Sequence, residues 1–317
     1  MNSGGNKRLL RPGVNFTTRG ELKYARAAHI ANELRGRIDE WIAAETILAR
    51  LHQSEERVIQ FRLVLKSAPP IEEWSLILGD SLHNLRSAFD NVVWALATLD
   101  GATPRQPRQV AFPLTNDEQD WAQRAKTLES IPAELLARLR AIQPWASGTA
   151  REDSLLGVLH RLDIADKHQG LIASALHLKR LSVAGLDLGP KSQEEFDRAQ
   201  IAYETRRTPV PFEEDAVLAT IRSDSVSLWA DPDYRARVDA QFAIRYDTDR
   251  ALMLDSFLGD LLSRTREWLD LIYGGPTYAN AMKASREATG PTVSFGYTDE
   301  QGVSHLVSLP MVEPASV

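Results

Sequence analysis

The chain has 317 residues, enough for one large domain or two modest ones, and its 43% hydrophobic and 25% charged residues exclude wholesale disorder. It contains no cysteine, which removes disulfides, thiolate nucleophiles and any zinc site that needs a Cys ligand. A formal net charge of −6 argues against a protein that coats nucleic acid, though not against an enzyme with one local basic cleft.

The first 17 residues read as a flexible tail, with no apolar stretch of the kind a signal peptide carries. Thr18 and Glu21 have capping-box spacing, so a helix is expected from there to about residue 51. Ile30, Leu34, Ile38, Trp41, Ile42 and Leu48 supply its apolar stripe. Over 56–66 the period shortens to two and predicts a strand, closed by Pro69-Pro70. A long helix follows over 71–99, then a proline-rich loop through Pro104, Pro107 and Pro113, then short helices over 117–128 and 132–142. Asp153 and Ser154 cap the next helix, which Gly170 ends or kinks. Strands are expected over 178–188, 217–228 and 238–246, with a polar helix near 193–206.

Asp249 opens an amphipathic helix stopped by Gly274-Gly275-Pro276, and the remainder, 276–317, is an extension ending in a hairpin that turns at Asp299-Glu300-Gln301-Gly302. The expected fold is therefore α+β: a bundle of about four long helices with an antiparallel sheet packed on one side, residues 18–275 forming a single domain. The longest apolar run, 92–97, is far too short for a bilayer, so the expectation is a cytoplasmic protein with no membrane partner.

Two segments carry the chemistry. On the helix over 71–99, Leu78, Leu82, Leu85, Phe89, Val92, Val93 and Leu96 share one arc. Asp80, His83, Asn84, Arg86, Ser87, Asp90 and Asn91 share the other. An amphipathic helix with a solvated face explains this much. The polar arc, however, lacks the Lys and Glu that usually fill exposed helix, and Leu76 and Trp94 within it predict a covering element. The second segment, 155–172, is apolar all round and predicts a buried helix carrying His160, Arg161, Asp163, Asp166, Lys167 and His168.

Buried charges need partners, and the best supply is the face with His83, Arg86 and Asp90. The spatial expectation is that these lie within hydrogen-bond reach of Asp163, Asp166, Lys167 or His168. A purely structural ion-pair network is the plain alternative. His83, His160, His168 and an aspartate have the chemistry of metal ligands, but no signature spacing, so no metal or cofactor is assigned. The loop from Gly185 to Ser192 fails as a phosphate loop, because Pro190 stands where an amide donor is needed.

The pair Gly79-Asp80-Ser81-Leu82-His83-Asn84-Leu85-Arg86-Ser87-Ala88-Phe89-Asp90 and Asp166-Lys167-His168 resembles a group of uncharacterised bacterial helical proteins carrying the same signatures, across roughly 55–175. That resemblance implies no activity. Arg161 and His168 are similar to the Arg-x6-His motif of HEPN ribonucleases, although Leu162 replaces the polar residue that usually follows the arginine. The HEPN resemblance implies metal-independent RNA cleavage, often completed across a homodimer. His168 would then serve as base, with Arg161 or Arg86 steadying the charged phosphorane and His83 as a further catalytic candidate. Asn84, Asp90, His160, Asp163, Asp166 and Lys167 would support or bind. The competing readings are a non-catalytic module that binds a small anionic ligand or locks the bundle, and a metal-dependent hydrolase.

Overall fold

A computed structural model describes residues 19–44, 46–169, 173–182, 188, 194, 200–205, 210–211, 213–229, 231, 233–245, 251–289, 292–298 and 304–310. The expected tail over 1–17, the Gly170 stop, half of the helix expected over 193–206 and the turn at Asp299 to Gly302 lie outside the described residues. The helix expected from Asp249 begins instead at Leu254, because Ala251–Met253 pair as a short strand. The protein is α+β. Its residues fall into two compact units, Met1–Asn32, Ile77–Gly170 and Gly259–Val317 in the first, Glu33–Leu76 and Leu171–Leu258 in the second.

Helix α1 runs Arg19–Ala43 and stops well short of the expected residue 51. The chain instead enters strand β1 (Ile47–Glu55), which pairs antiparallel with β2 (Val58–Leu65) from Ile47 opposite Leu65 onward. The reason lies in the alternation: Ile47, Ala49 and Leu51 are buried, whereas Leu48 and Arg50 between them are half-buried. Ile47 beside Leu48 lets the same residues mimic a helical stripe, and the two-residue period was masked. Thr46 closes the helix end, its hydroxyl donating to the Trp41 carbonyl at 2.6 Å.

The second unit is built on one antiparallel sheet. Its strands are β1, β2, β3 (Ala173–Ser182), β4 (Ile201–Thr205), β5 (Val210–Pro211), β6 (Val217–Ser223), β7 (Arg235–Arg245) and β8 (Ala251–Met253). Their order is β4-β6-β2-β1-β7-β3-β5, with β8 beside β7. Three of these strands sit a few residues away from their expected bounds. Residues 201–205, expected in a polar helix, form edge strand β4 with Tyr203 opposite Ile221; its exposed Tyr203 and Glu204 suit a sheet edge as well as a helix. Ile59, Phe61, Leu63, Leu218, Ile221 and Val238 centre its core. Trp74 meets Phe242 edge-on at 4.9 Å and Trp41 at 5.8 Å.

The first unit is helical apart from one hairpin. It holds the larger part of α2 (Ile71–Ala97), whose predicted apolar arc is buried from Leu78 to Leu96. Helix α3 (Glu118–Ala125) is capped by Asp117, which accepts from the Asp120 amide at 2.8 Å. Helix α4 (Ala133–Ala141) follows Pro132, and α5 (Leu155–Gln169) follows Ser154. Helix α6 (Leu254–Thr289) breaks at Gly275, with φ 76° and ψ −179°, directly before Pro276. The expected stop there is therefore a kink, because helical structure resumes after the proline and continues to Thr289. Strands β9 (Thr292–Thr298) and β10 (Ser304–Pro310) then form the expected hairpin. Among the described residues no helix is long and apolar enough to cross a membrane.

Candidate functional site

The polar face of α2 and one face of α5 meet inside the first unit. The closest link is His83 to Asp163, Nδ1 to Oδ1 at 3.0 Å. Asp163 is buried, with only 5% of its side chain exposed, while His83 is 48% exposed. One charged group is thus withdrawn from water and satisfied by a partner that still reaches solvent. The expectation that the two helices share polar contacts holds at this pair. Close approach is permitted by Gly79, where an added Cβ would overlap the Asp166 carboxylate.

Other members of the α2 face serve the surrounding structure. The Arg86 guanidinium donates to Asp90 Oδ1 at 2.7 Å and to the Phe112 carbonyl at 3.1 Å. Asp90 Oδ1 in turn accepts from the Phe112 amide at 2.9 Å. The pair, one turn apart on α2, therefore clamps the backbone of the proline-rich loop to the helix, with the guanidinium 5.8 Å above the Phe112 ring. Asn84 accepts from Lys23 Nζ at 3.0 Å and donates to the Asp80 carbonyl at 2.7 Å, which ties α2 to α1.

Two expectations about burial need correction. Helix α5 is not buried all round: Arg161 and Ile164 are exposed. Leu76 and Trp94 on α2, where a covering element was expected, are exposed as well. The side chains of Lys167 and His168 lie outside the described residues.

Arg86 and His160 open onto a pocket of about 600 Å³ that the sequence did not signal. Its other charged lining residues are Arg124, Arg151 and Asp120, with Asn116 between them. Three guanidiniums thus share a lining with one carboxylate, and Arg86 is already paired with Asp90. Asp120 lies 3.8 Å from Arg124, and Arg151 donates to Asn116 Oδ1 at 3.5 Å, so both arginine contacts are loose. Burial holds the His160 imidazole below its usual pKa, and Arg86 and Arg151 push it down further, against the smaller opposing pull of Asp163 and Asp90. Its Nδ1 is buried and has no hydrogen-bond partner among the described residues.

Arg161 is exposed and does not line this pocket. The residues missed by sequence reasoning, Arg124 and Arg151, come from α3 and from the short turn before α5. Neither stands at a fixed spacing from the two signature segments. Arg151 is placed by a local device: the Ser154 hydroxyl donates to the Arg151 carbonyl at 2.7 Å and accepts from the Gly157 amide at 3.0 Å. Among the described residues no three His, Asp or Glu side chains gather as metal ligands. No protein-family model matches the chain, nor does any curated protein or solved structure.

Proposed function

We propose that the pocket of the first unit binds a small anionic ligand through a phosphate or carboxylate group. The observation that carries this reading is the lining itself, in which Arg124 and Arg151 hold only long contacts and Arg86 is paired with Asp90, with Asp120 the single carboxylate among the lining residues. Guanidiniums are the side chains best matched to planar recognition of such anions, and a volume of about 600 Å³ lies within the usual range for small-molecule sites. The unpartnered His160 Nδ1 adds one polar atom for which a ligand would be a partner. Isothermal titration of the full chain with inorganic phosphate and with a nucleoside monophosphate tests the reading. Each of Arg124→Ala and Arg151→Ala should weaken binding by roughly tenfold or more, the equivalent of one charge-assisted hydrogen bond. Absence of binding at millimolar ligand would remove the proposal.

Metal-independent cleavage of RNA is the second reading, and one observation favours it. An imidazole kept neutral beside guanidiniums is the form that accepts a proton at neutral pH, next to groups that steady a charged phosphorane. In this version His160 and Arg86 take the roles that the HEPN resemblance gives to His168 and Arg161. Degradation of RNA in the presence of a chelator, lost in His160→Ala, would support it. A homodimer and a metal-dependent hydrolase have no observation in their favour.

A further inference from the structure

We infer that Ser87, His83 and Asp163 form a nucleophilic relay, with Ser87 attacking the acyl carbon of a carboxylic ester. The relay stands on three groups and two contacts and does not rest on the anion pocket. Ser87 follows His83 by four residues on α2, so the two side chains lie one above the other on a single stripe. Ser87 Oγ is 3.4 Å from His83 Nε2, and His83 Nδ1 is 3.0 Å from Asp163 Oδ1. The buried carboxylate can only accept, so Nδ1 carries the proton and Nε2 presents its lone pair to the serine hydroxyl. The order nucleophile, base, orienting carboxylate is that of a serine hydrolase, recognised by geometry and not by position in the sequence. The serine contact is long, as such contacts often are in unliganded sites.

Exposure follows the same order. Asp163 is withdrawn from water, while His83 remains half-exposed and Ser87 half-buried. A substrate can therefore reach the two groups that must touch it, and Asp163 serves as a positioning residue.

In the first step the Ser87 Oγ forms a bond to the acyl carbon and its proton passes to His83 Nε2. The carbonyl electron pair returns from oxygen, the alkoxide departs, and it takes the proton from His83. Water repeats the sequence on the acyl-serine: its oxygen bonds to the acyl carbon, its proton passes to Nε2, and the departing Ser87 Oγ takes that proton back as the carboxylic acid is released. Asp163 orients the imidazole through the contact at Nδ1. The balance is one ester and one water in, one acid and one alcohol out.

The test uses the full chain, a fluorophosphonate probe and 4-nitrophenyl acetate, read by intact mass, peptide mapping and release of nitrophenolate. One adduct on Ser87 is expected, absent in Ser87→Ala and formed about a hundredfold more slowly in His83→Ala. Asp163→Glu, which keeps the charge, should retain more of the rate than Asp163→Asn, a difference that simple space-filling would not produce. Ser87 and His83 are both partly exposed, so their variants keep the test decisive even where an Asp163 variant fails to fold. No adduct at millimolar probe, or equal labelling of His83→Ala, overturns the inference. Phosphate titration of Ser87→Ala, which should be unchanged, reports on the pocket separately.

Discussion

At the scale of single residues, the clearest signal is His160. Burial is the main reason its imidazole is held below the usual pKa, and Arg86 and Arg151 add to it against Asp163 and Asp90. An imidazole with a depressed folded-state pKa binds fewer protons than in the unfolded chain. Its contribution to stability is therefore present above the unfolded value, near 6.5, and is lost as pH falls below it toward the folded value. The melting temperature should decline through this window, and His160→Gln, which has no proton to gain, should flatten the decline. A bound anion beside the imidazole reverses the sign, because it favours the protonated form. Phosphate should then bind more tightly to wild type as pH falls from 7 to 6, with a smaller gain in His160→Gln. Calorimetry at the two pH values separates these outcomes, and equal changes in both proteins would remove His160 from the site.

Among the elements, glycines decide how α5 meets its neighbours. A Cβ at Gly157 would overlap the Arg151 carbonyl oxygen, which is backbone and cannot rotate away. Gly157→Ala gains about 1 kcal/mol of helix propensity and loses about 1–3 kcal/mol to overlap, so the net is destabilising. The overlap also displaces the turn carrying Arg151, and phosphate affinity should fall with stability. Unchanged affinity in Gly157→Ala would show that Arg151 is not held by this contact. Nothing in the spacing of Gly157 foretold this role. What the sequence made legible was periodic: the buried arc of α2 and the amphipathic start of α6 repeat over many turns. The His83–Asp163 contact was legible too, since a charge on an apolar helix demands a partner. The strand β1 was hidden by Ile47 and Leu48 standing together. Arg124 and Arg151 were hidden more thoroughly, because a pocket lined from separate elements leaves no pattern along the chain.

On the scale of the whole molecule, net charge misleads about binding. The chain carries −6, yet the one pocket described above is lined by three arginines and one aspartate, so local arrangement decides what it attracts. The first unit is likewise assembled from distant parts of the chain, and a charged network ties its two ends together. Arg266 meets both carboxylate oxygens of Glu21, 245 positions away, at 2.5 and 2.9 Å. Asp270 accepts from Arg266 and from Arg286, each at 2.7 Å, with only 3% of its side chain exposed against 20% and 22% for the two arginines. Burial also pushes the Tyr24 hydroxyl up to about 12, against the pull of Arg266. Removing Asp270 strands two guanidiniums of which Glu21 satisfies only one. Loss of one partner of a fully buried pair costs about 3–5 kcal/mol, and the partial exposure of the arginines places this case near the lower bound. Asp270→Ala should therefore melt on the order of 10 °C below wild type. Asp270→Leu combined with Arg286→Met, which removes charges of both signs, should melt above Asp270→Ala. A single mutant within a degree of wild type would show that Glu21 alone carries the network, whereas a double mutant no better than the single would show that Arg286 contributes packing and not charge.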